Sequence, residues 1–212
     1  MIAWITKTVG RWATPDPEAE QWTVGHIIKD RDALILIDPP VVLGLPQFLM
    51  SMGTARAIVL TTPDHTRGSR YLSEALSCPI WAPAQADRDR LKLGRVRDPE
   101  WYDNGAELPG GLRARRTVVS WPNGRTYMDE MMLQSTDAVF IGDLLAGNLD
   151  GSVAVCPEQF PGVAQVDEKT RVAQAMLQTV PSAPRLLLTG HGWPVTGDLA
   201  VLQQRTTKSS SI

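Results

Sequence analysis

Imidazole and carboxylate side chains are the groups that most often hold a divalent cation or move a proton near neutral pH. This chain of 212 residues has three imidazoles in all, His26, His65 and His191. A site needing four or five histidines is therefore excluded. Four short stretches with turn residues and reactive groups fall at the ends of strand-like runs: "LTTPDH" from Leu60, "SWPNG" from Ser120, "GDLL" from Gly142 and "TGHGWP" from Thr189. Each residue also has a plain structural reading. Asp64 can cap a turn after its strand, His65 can be a hydrogen-bonded buried residue, and Asp143 can anchor a turn. His26 lies between apolar neighbours in "TVGHII" and reads as a buried or half-buried strand residue outside any site.

The elements that must position these groups are legible in outline. In "QWTVGHIIKDRDALILIDPP", two β-branched and aliphatic runs flank a polar turn, which predicts a hairpin. Val42, Leu45, Phe48, Leu49 and Met52 recur at helical spacing before Gly53, a natural stop. "ARAIVLTT" returns to strand, Tyr71, Leu72, Ala75 and Leu76 mark a helix face, and "CPIWAP" reads as a further strand. Residues 84–104 are polar and irregular and predict a short helix and loop. From "ELPGGLRARRTVVSW" to "FIGDLL", short runs alternate with turn signals and predict a second sheet. "VDEKTRVAQAML" predicts a helix over Val166 to Leu177, and "RLLLTG" a last strand. A single domain over residues 1–205 with a flexible tail at 206–212 is the expected organisation.

Composition excludes some partners. Lys and Arg total 21 against 23 Asp and Glu, so a formal charge of −2 offers no general attraction for nucleic acid or anionic lipid. The basic run Arg113 to Arg116 reads as a solvated strand edge. Cys78 and Cys156 read as two small buried hydrophobes in a reducing compartment, and seven tryptophans read as core residues. No run approaches transmembrane length and the N-terminal stretch lacks a leader pattern, so a cytoplasmic location is expected.

In order and spacing the four signals resemble those of the metallo-β-lactamase superfamily, along nearly the whole chain from "ILIDPP" to "TGHGWPV". "LIDPP" is similar to that family's strand ending in Asp-Thr-Gly. The resemblance implies an α+β fold, a four-layer αββα sandwich. The family's main motif is His-x-His-x-Asp-His. Setting its last two residues on Asp64 and His65 places Leu60 and Thr62 where two histidines would stand. "SWPNG" stands for a Gly-His-Thr-Pro-Gly turn, with Trp121 in place of the third histidine. The first metal site thus has no recognisable ligand of its own. For the second site the resemblance implies Asp64, His65, Asp143 and His191, all four present. Losses grouped by site support one retained metal, because a dead pocket would lose ligands without regard to the ion they held.

Two imidazoles and two carboxylates suit a divalent zinc, iron or manganese ion, with zinc the first choice. Such an ion brings the pKa of a water from about 16 toward roughly 7, and Asp64 or Asp143 would orient that water or carry its proton. The cofactor expectation is one divalent ion or none. Thr62 and Ser120 are hydrogen-bond donors for a pocket, without the partner that would make either a nucleophile. Arg67 stands where the family commonly has glycine and reads as fixed positive charge at the pocket mouth or as a surface arginine. Trp121 reads as a stacking wall for an aromatic or acyl substrate, or as core packing.

The leading functional expectation is a hydrolase-like enzyme that uses one metal to activate water against an ester, thioester or lactone. The alternative is a catalytically inactive pseudo-enzyme that binds a small molecule or protein partner. A metal-free enzyme using Arg67 and Asp64, and a nuclease, have less support from the residues present.

Overall fold

Extended runs with inward-facing aliphatic residues build most of the chain, and a computed structural model describes residues 2–16, 22–121, 123–156, 163–180, 185–197 and 206–207. The chain divides into two compact units, Met1–Arg113 and Ala114–Ile212.

The first unit carries a seven-stranded sheet in which the strands follow chain order. Its members are β1 (Ala3–Trp4), β2 (Val9–Pro15), β3 (Trp22–Asp30), β4 (Ala33–Ile37), β5 (Thr54–Val59), β6 (Ile80–Pro83) and β7 (Glu100–Tyr102). The first four pair antiparallel and the last four parallel. The change falls at β4, where a tight hairpin gives way to helical crossovers of the kind parallel pairs require. Helices α1 (Leu45–Met52) and α2 (Ser69–Leu76) make those crossovers, and α3 (Arg88–Leu93) precedes β7. The Gly53 N–H closes α1 on the Leu49 carbonyl at 3.2 Å, as the glycine stop predicts. The core holds Ile27, Leu34, Leu36, Leu49, Ile58, Leu60 and Leu72, all fully buried. Next comes β8 (Glu107–Leu108), paired antiparallel with Leu112 and Arg113. Arg113 meets Glu107 at 2.9 Å, so the basic run begins as an ion-paired strand edge.

In the second unit a sheet runs in the spatial order β9 (Leu112–Ser120, which enters from the first unit), β10 (Thr126–Gln134), β11 (Ala138–Ile141), β14 (Leu186–Thr189) and β15 (Val195–Thr196). Between β11 and β14 the chain forms β12 (Leu145–Gly147), β13 (Val153–Val155) and α4 (Val163–Thr179). A short β16 (Thr206–Thr207), inside the expected tail, pairs parallel with β13, and the rest of that tail lies outside the described residues. Arg116 holds Asp129 across the sheet through both carboxylate oxygens, at 2.8 and 2.5 Å. The core gathers Val119, Met132, Val139, Leu177 and Leu187.

Two large sheets with few helices agree with the expected α+β class. His26 is buried in β3, as its neighbours predict. Both cysteines are buried and neither forms a disulfide; burial pushes the Cys78 thiol up to about 11. Three expectations need correction. The polar stretch 84–104 contains a strand, β7, which needs little apolar surface because it lies at the sheet edge. The N-terminal stretch, read only for a leader, supplies β1 and β2. Tryptophan is also not mainly a core residue: Trp4, Trp22, Trp101, Trp121 and Trp193 are exposed, whereas Trp12 is buried and donates its indole N–H to the Pro40 carbonyl at 2.9 Å. Among the described residues no helix is long and apolar enough to cross a membrane.

Truncating Leu36, fully buried in β4, to alanine should lower unfolding stability by about 3 kcal/mol. Truncating the exposed Leu93 should change it by less than about 0.5 kcal/mol. Denaturant titration followed by far-ultraviolet circular dichroism reads both.

Candidate functional site

Each unit contains an aspartate–histidine cluster, and in both the partners emerge from the ends of parallel strands. In the first unit β4 and β5 run side by side with Ile37 opposite Val59. The next residues on each strand, Asp38 and Leu60 to Thr62, therefore leave the sheet at one level. The Asp38 N–H donates to the Val59 carbonyl at 3.1 Å. Its carboxylate is buried and accepts the Thr61 backbone N–H at 2.8 Å and the Thr61 hydroxyl at 2.5 Å. His65 Nδ1 lies 2.9 Å from the same carboxylate. A buried carboxylate is costly unless such donors surround it.

Burial alone would push the Asp38 carboxyl up. The charge and hydrogen bond of His65, the charge of Arg67 and the Thr61 hydroxyl outweigh that and hold it below the usual carboxylate range. The guanidinium of Arg67 donates to the carbonyls of Val24, at 2.8 Å, and Asp38, at 3.2 Å. These bonds tie the loop to β3.

His65 ends a 3-10 turn, Pro63–His65, whose first N–H groups are met by Thr62: its hydroxyl accepts from the Asp64 N–H at 3.4 Å. Three residues per turn set successive side chains about 120° apart. His65 is accordingly buried against Asp38, while Asp64 turns outward and pairs with Arg90 of α3. Asp87 caps α3 by accepting the Asp89 N–H at 2.9 Å, which fixes the helix that carries Arg90. Leu60, one of the positions without an expected histidine, is fully buried, and its carbonyl accepts the Tyr102 hydroxyl at 2.5 Å.

In the second unit β11 and β14 are parallel with Ile141 opposite Thr189. Two residues on from each stand Asp143 and His191, so matched register alone brings them together. Asp143 Oδ1 and His191 Nε2 are 3.0 Å apart. The turns are also joined by the Gly190 N–H, which donates to Ile141 O at 2.9 Å and Gly142 O at 3.2 Å. Gly192 has φ 84°, and a Cβ there would stand 2.3 Å from the Gly147 carbonyl oxygen. Only glycine permits that approach. The Thr189 hydroxyl accepts the Gly147 N–H at 3.3 Å and donates to the His191 carbonyl.

Ser120 ends β9 and Trp121 opens the turn into β10, its N–H donating to Arg125 O at 2.8 Å. Its ring meets Tyr127 edge to face, with centroids 5.0 Å apart, and is 38% exposed. The core-packing alternative for Trp121 is therefore not what the fold adopts.

Two residues of these clusters escaped the sequence reading as site residues: Asp38 and Arg90. Asp38 had a signal, an Asp-Pro-Pro directly after a fully apolar strand. Arg90 had none, since its partner is 26 residues away.

The second-unit pair fits a metal. Two ligands each about 2.0–2.2 Å from one tetrahedral zinc stand about 3.3–3.6 Å apart, so Asp143 and His191, hydrogen-bonded at 3.0 Å, would open by only a few tenths of an ångström to admit an ion. The Asp38–His65 bond likewise has the form in which a carboxylate fixes the ring of a metal-ligating histidine, with ligation through Nε2.

Comparison with solved structures finds the same arrangement of elements elsewhere. The DIM-1 metallo-β-lactamase superposes with a TM-score of 0.72 at 17% identity, over 98% of this chain and 95% of that one. The fold is that of the metallo-β-lactamases. FIM-1 from Pseudomonas aeruginosa, a metallo-β-lactamase solved in its mono-zinc form, matches at TM-score 0.67 and 14% identity over 96% of this chain and 92% of its own. A metallo-β-lactamase from Pontibacter korlensis matches at 0.66 and 14% over 97% and 99%. No protein-family model matches the sequence, and no curated protein matches it. The metallo-β-lactamase fold bears out the architecture that the four strand-end signals implied.

Replacing Asp38 by asparagine should cost about 3 kcal/mol at pH 7, because the amide leaves buried donors unmet. The Asp38 carboxyl lies below its ordinary value near 3.9. Its contribution is thus complete above that value and is lost as pH falls through the lowered one. The stability gap between wild type and variant should hold at pH 5–7 and narrow below about pH 4, as circular-dichroism denaturation at stepped pH would record.

Proposed function

We propose that the protein is a hydrolase-like enzyme of the metallo-β-lactamase fold that uses one divalent ion, zinc first, against an ester, thioester or lactone of a small-molecule substrate. The observation that carries this reading is the 3.0 Å approach of Asp143 Oδ1 to His191 Nε2 at adjoining strand ends. The family resemblance adds His65 to the ligand set of this reading, and within the first unit Asp38 orients its ring. A single-ion centre on this fold is supported by the mono-zinc form of FIM-1.

When bound, the ion would supply Lewis acidity toward the carbonyl oxygen and a hydroxide nucleophile near neutral pH. Asp143, or Asp64, would orient the attacking water and take its proton. As a fourth ligand or proton carrier, Asp64 would act in competition with its ion pair to Arg90. Trp121, with an exposed ring, offers a stacking surface for an aromatic or acyl group, with Ser120 beside it as a hydrogen-bond donor, whereas the buried Thr62 hydroxyl serves its own turn by accepting the Asp64 N–H. The bonds of Arg67 to two backbone carbonyls favour a structural duty over substrate contact.

The test is metal content by mass spectrometry on untagged protein after reconstitution with zinc, iron and manganese. Near-stoichiometric metal is expected in the wild type and its loss in Asp143→Ala, followed by turnover in an esterase, thioesterase or lactonase screen. Metal-free wild-type protein would overturn the reading in favour of a pseudo-enzyme that binds a small molecule or protein partner.

Arg90→Ala separates the two states of Asp64. If Asp64 joins the ligand set, freeing it from an exposed ion pair should tighten zinc binding roughly threefold, measured by chelator competition.

A further inference from the structure

Glu130 lies in β10 beside a fully apolar run, and it is almost completely buried. Removing a carboxylate from water costs several kcal/mol unless donors replace the solvent. The donors here are two consecutive backbone N–H groups: Asp143 N donates to Oε2 at 2.6 Å and Leu144 N to Oε1 at 3.3 Å. Both belong to the turn that follows β11, past the last residue paired with β14, where no ladder partner remains for them. The same turn presents the Asp143 side chain to His191 at 3.0 Å. We propose that Glu130 is a positioning residue: by gripping the backbone of Asp143 and Leu144 with both carboxylate oxygens, it sets the Asp143 side chain against His191.

A charged network surrounds this grip. Cys156 donates its backbone N–H to Leu144 O at 3.1 Å, and Lys169, fully buried on α4, donates to Cys156 O at 3.1 Å. The Cys156 thiol is pushed up to about 12 by burial first and then by the negative charge of Asp143, with Lys169 opposing and Glu130 adding to the rise. Lys169 thereby reaches the backbone of the residue that is hydrogen-bonded to Leu144, one of the two residues Glu130 holds. An isosteric amide cannot replace Glu130, since it can accept one N–H but sets its own NH2 against the other.

The experiment compares Glu130→Gln with Leu177→Ala, a cavity on α4 in the same unit. Two readouts are taken: the ring 15N shifts of His191 in metal-free protein, and zinc affinity by chelator competition. Glu130→Gln should move the His191 ring signals and weaken zinc binding 10- to 100-fold. Leu177→Ala should leave both as in wild type despite an equal or larger fall in melting temperature. If Glu130→Gln leaves the His191 shifts unchanged, or if both variants move them alike, the proposal is overturned. The zinc arm rests on the functional reading above and the metal-free arm does not, so wild-type protein that takes no zinc defeats that reading while the His191 shifts still decide the role of Glu130. Should Glu130→Gln fail to fold, Glu130→Asp, which keeps the charge but shortens the reach, is read by the same shifts with the same two outcomes.

Discussion

Parallel pairing of adjacent strands is the constraint on which the chemistry of both units depends. When two strands run in the same direction and in register, the chain leaves both at one level, and residues at matching offsets become neighbours without any special loop. Ile141 opposite Thr189 makes Asp143 and His191 neighbours, both two residues on, and Ile37 opposite Val59 brings Asp38, one residue on, within reach of Thr61, two residues on. The aliphatic strands supply stability, but their ladders also decide where a carboxylate can meet an imidazole.

Buried carboxylates then hold those strand ends in place. Asp38 and Glu130 are both nearly inaccessible and both accept backbone N–H groups from a turn that follows a strand. A carboxylate in a low-dielectric setting interacts strongly with such donors and is costly if they move away. Each turn is therefore held by an interaction that tolerates little displacement. Asp64 contrasts with this: it faces solvent, pairs with an arginine that is itself exposed, and can exchange partners at small cost.

The hairpin of β3 and β4, the stop of α1 at Gly53, the helices α2 and α4 and the second sheet were legible because alternation, helical spacing and turn residues leave periodic marks. So were Asp64, His65, Asp143 and His191 as residues at strand ends. What the sequence hid is what periodicity does not encode. A three-residue edge strand such as β7 has no pattern long enough to see. The Asp64–Arg90 pair joins residues far apart in the chain. Trp121 occupies a turn where size and apolarity suggest core, yet the tight bend before β10 holds its ring outward on Tyr127. Glu130 looked like an ordinary polar strand residue until the strand's register turned it inward.

The distribution of the indole rings decides what light emission from this protein would report. Five of the seven tryptophans stand in water in the native fold, and only Trp12 is fully enclosed. The folded molecule already emits mostly from hydrated indoles, so the usual red shift on unfolding is muted. A quencher in solution reaches most of the emission at once, while the protected remainder comes from the half-buried Trp81 and from the enclosed Trp12. The Trp12 indole N–H is bonded to Pro40, two residues beyond Asp38. The Trp12 share of that residual emission is therefore a built-in optical reporter of the strand end that carries the buried carboxylate.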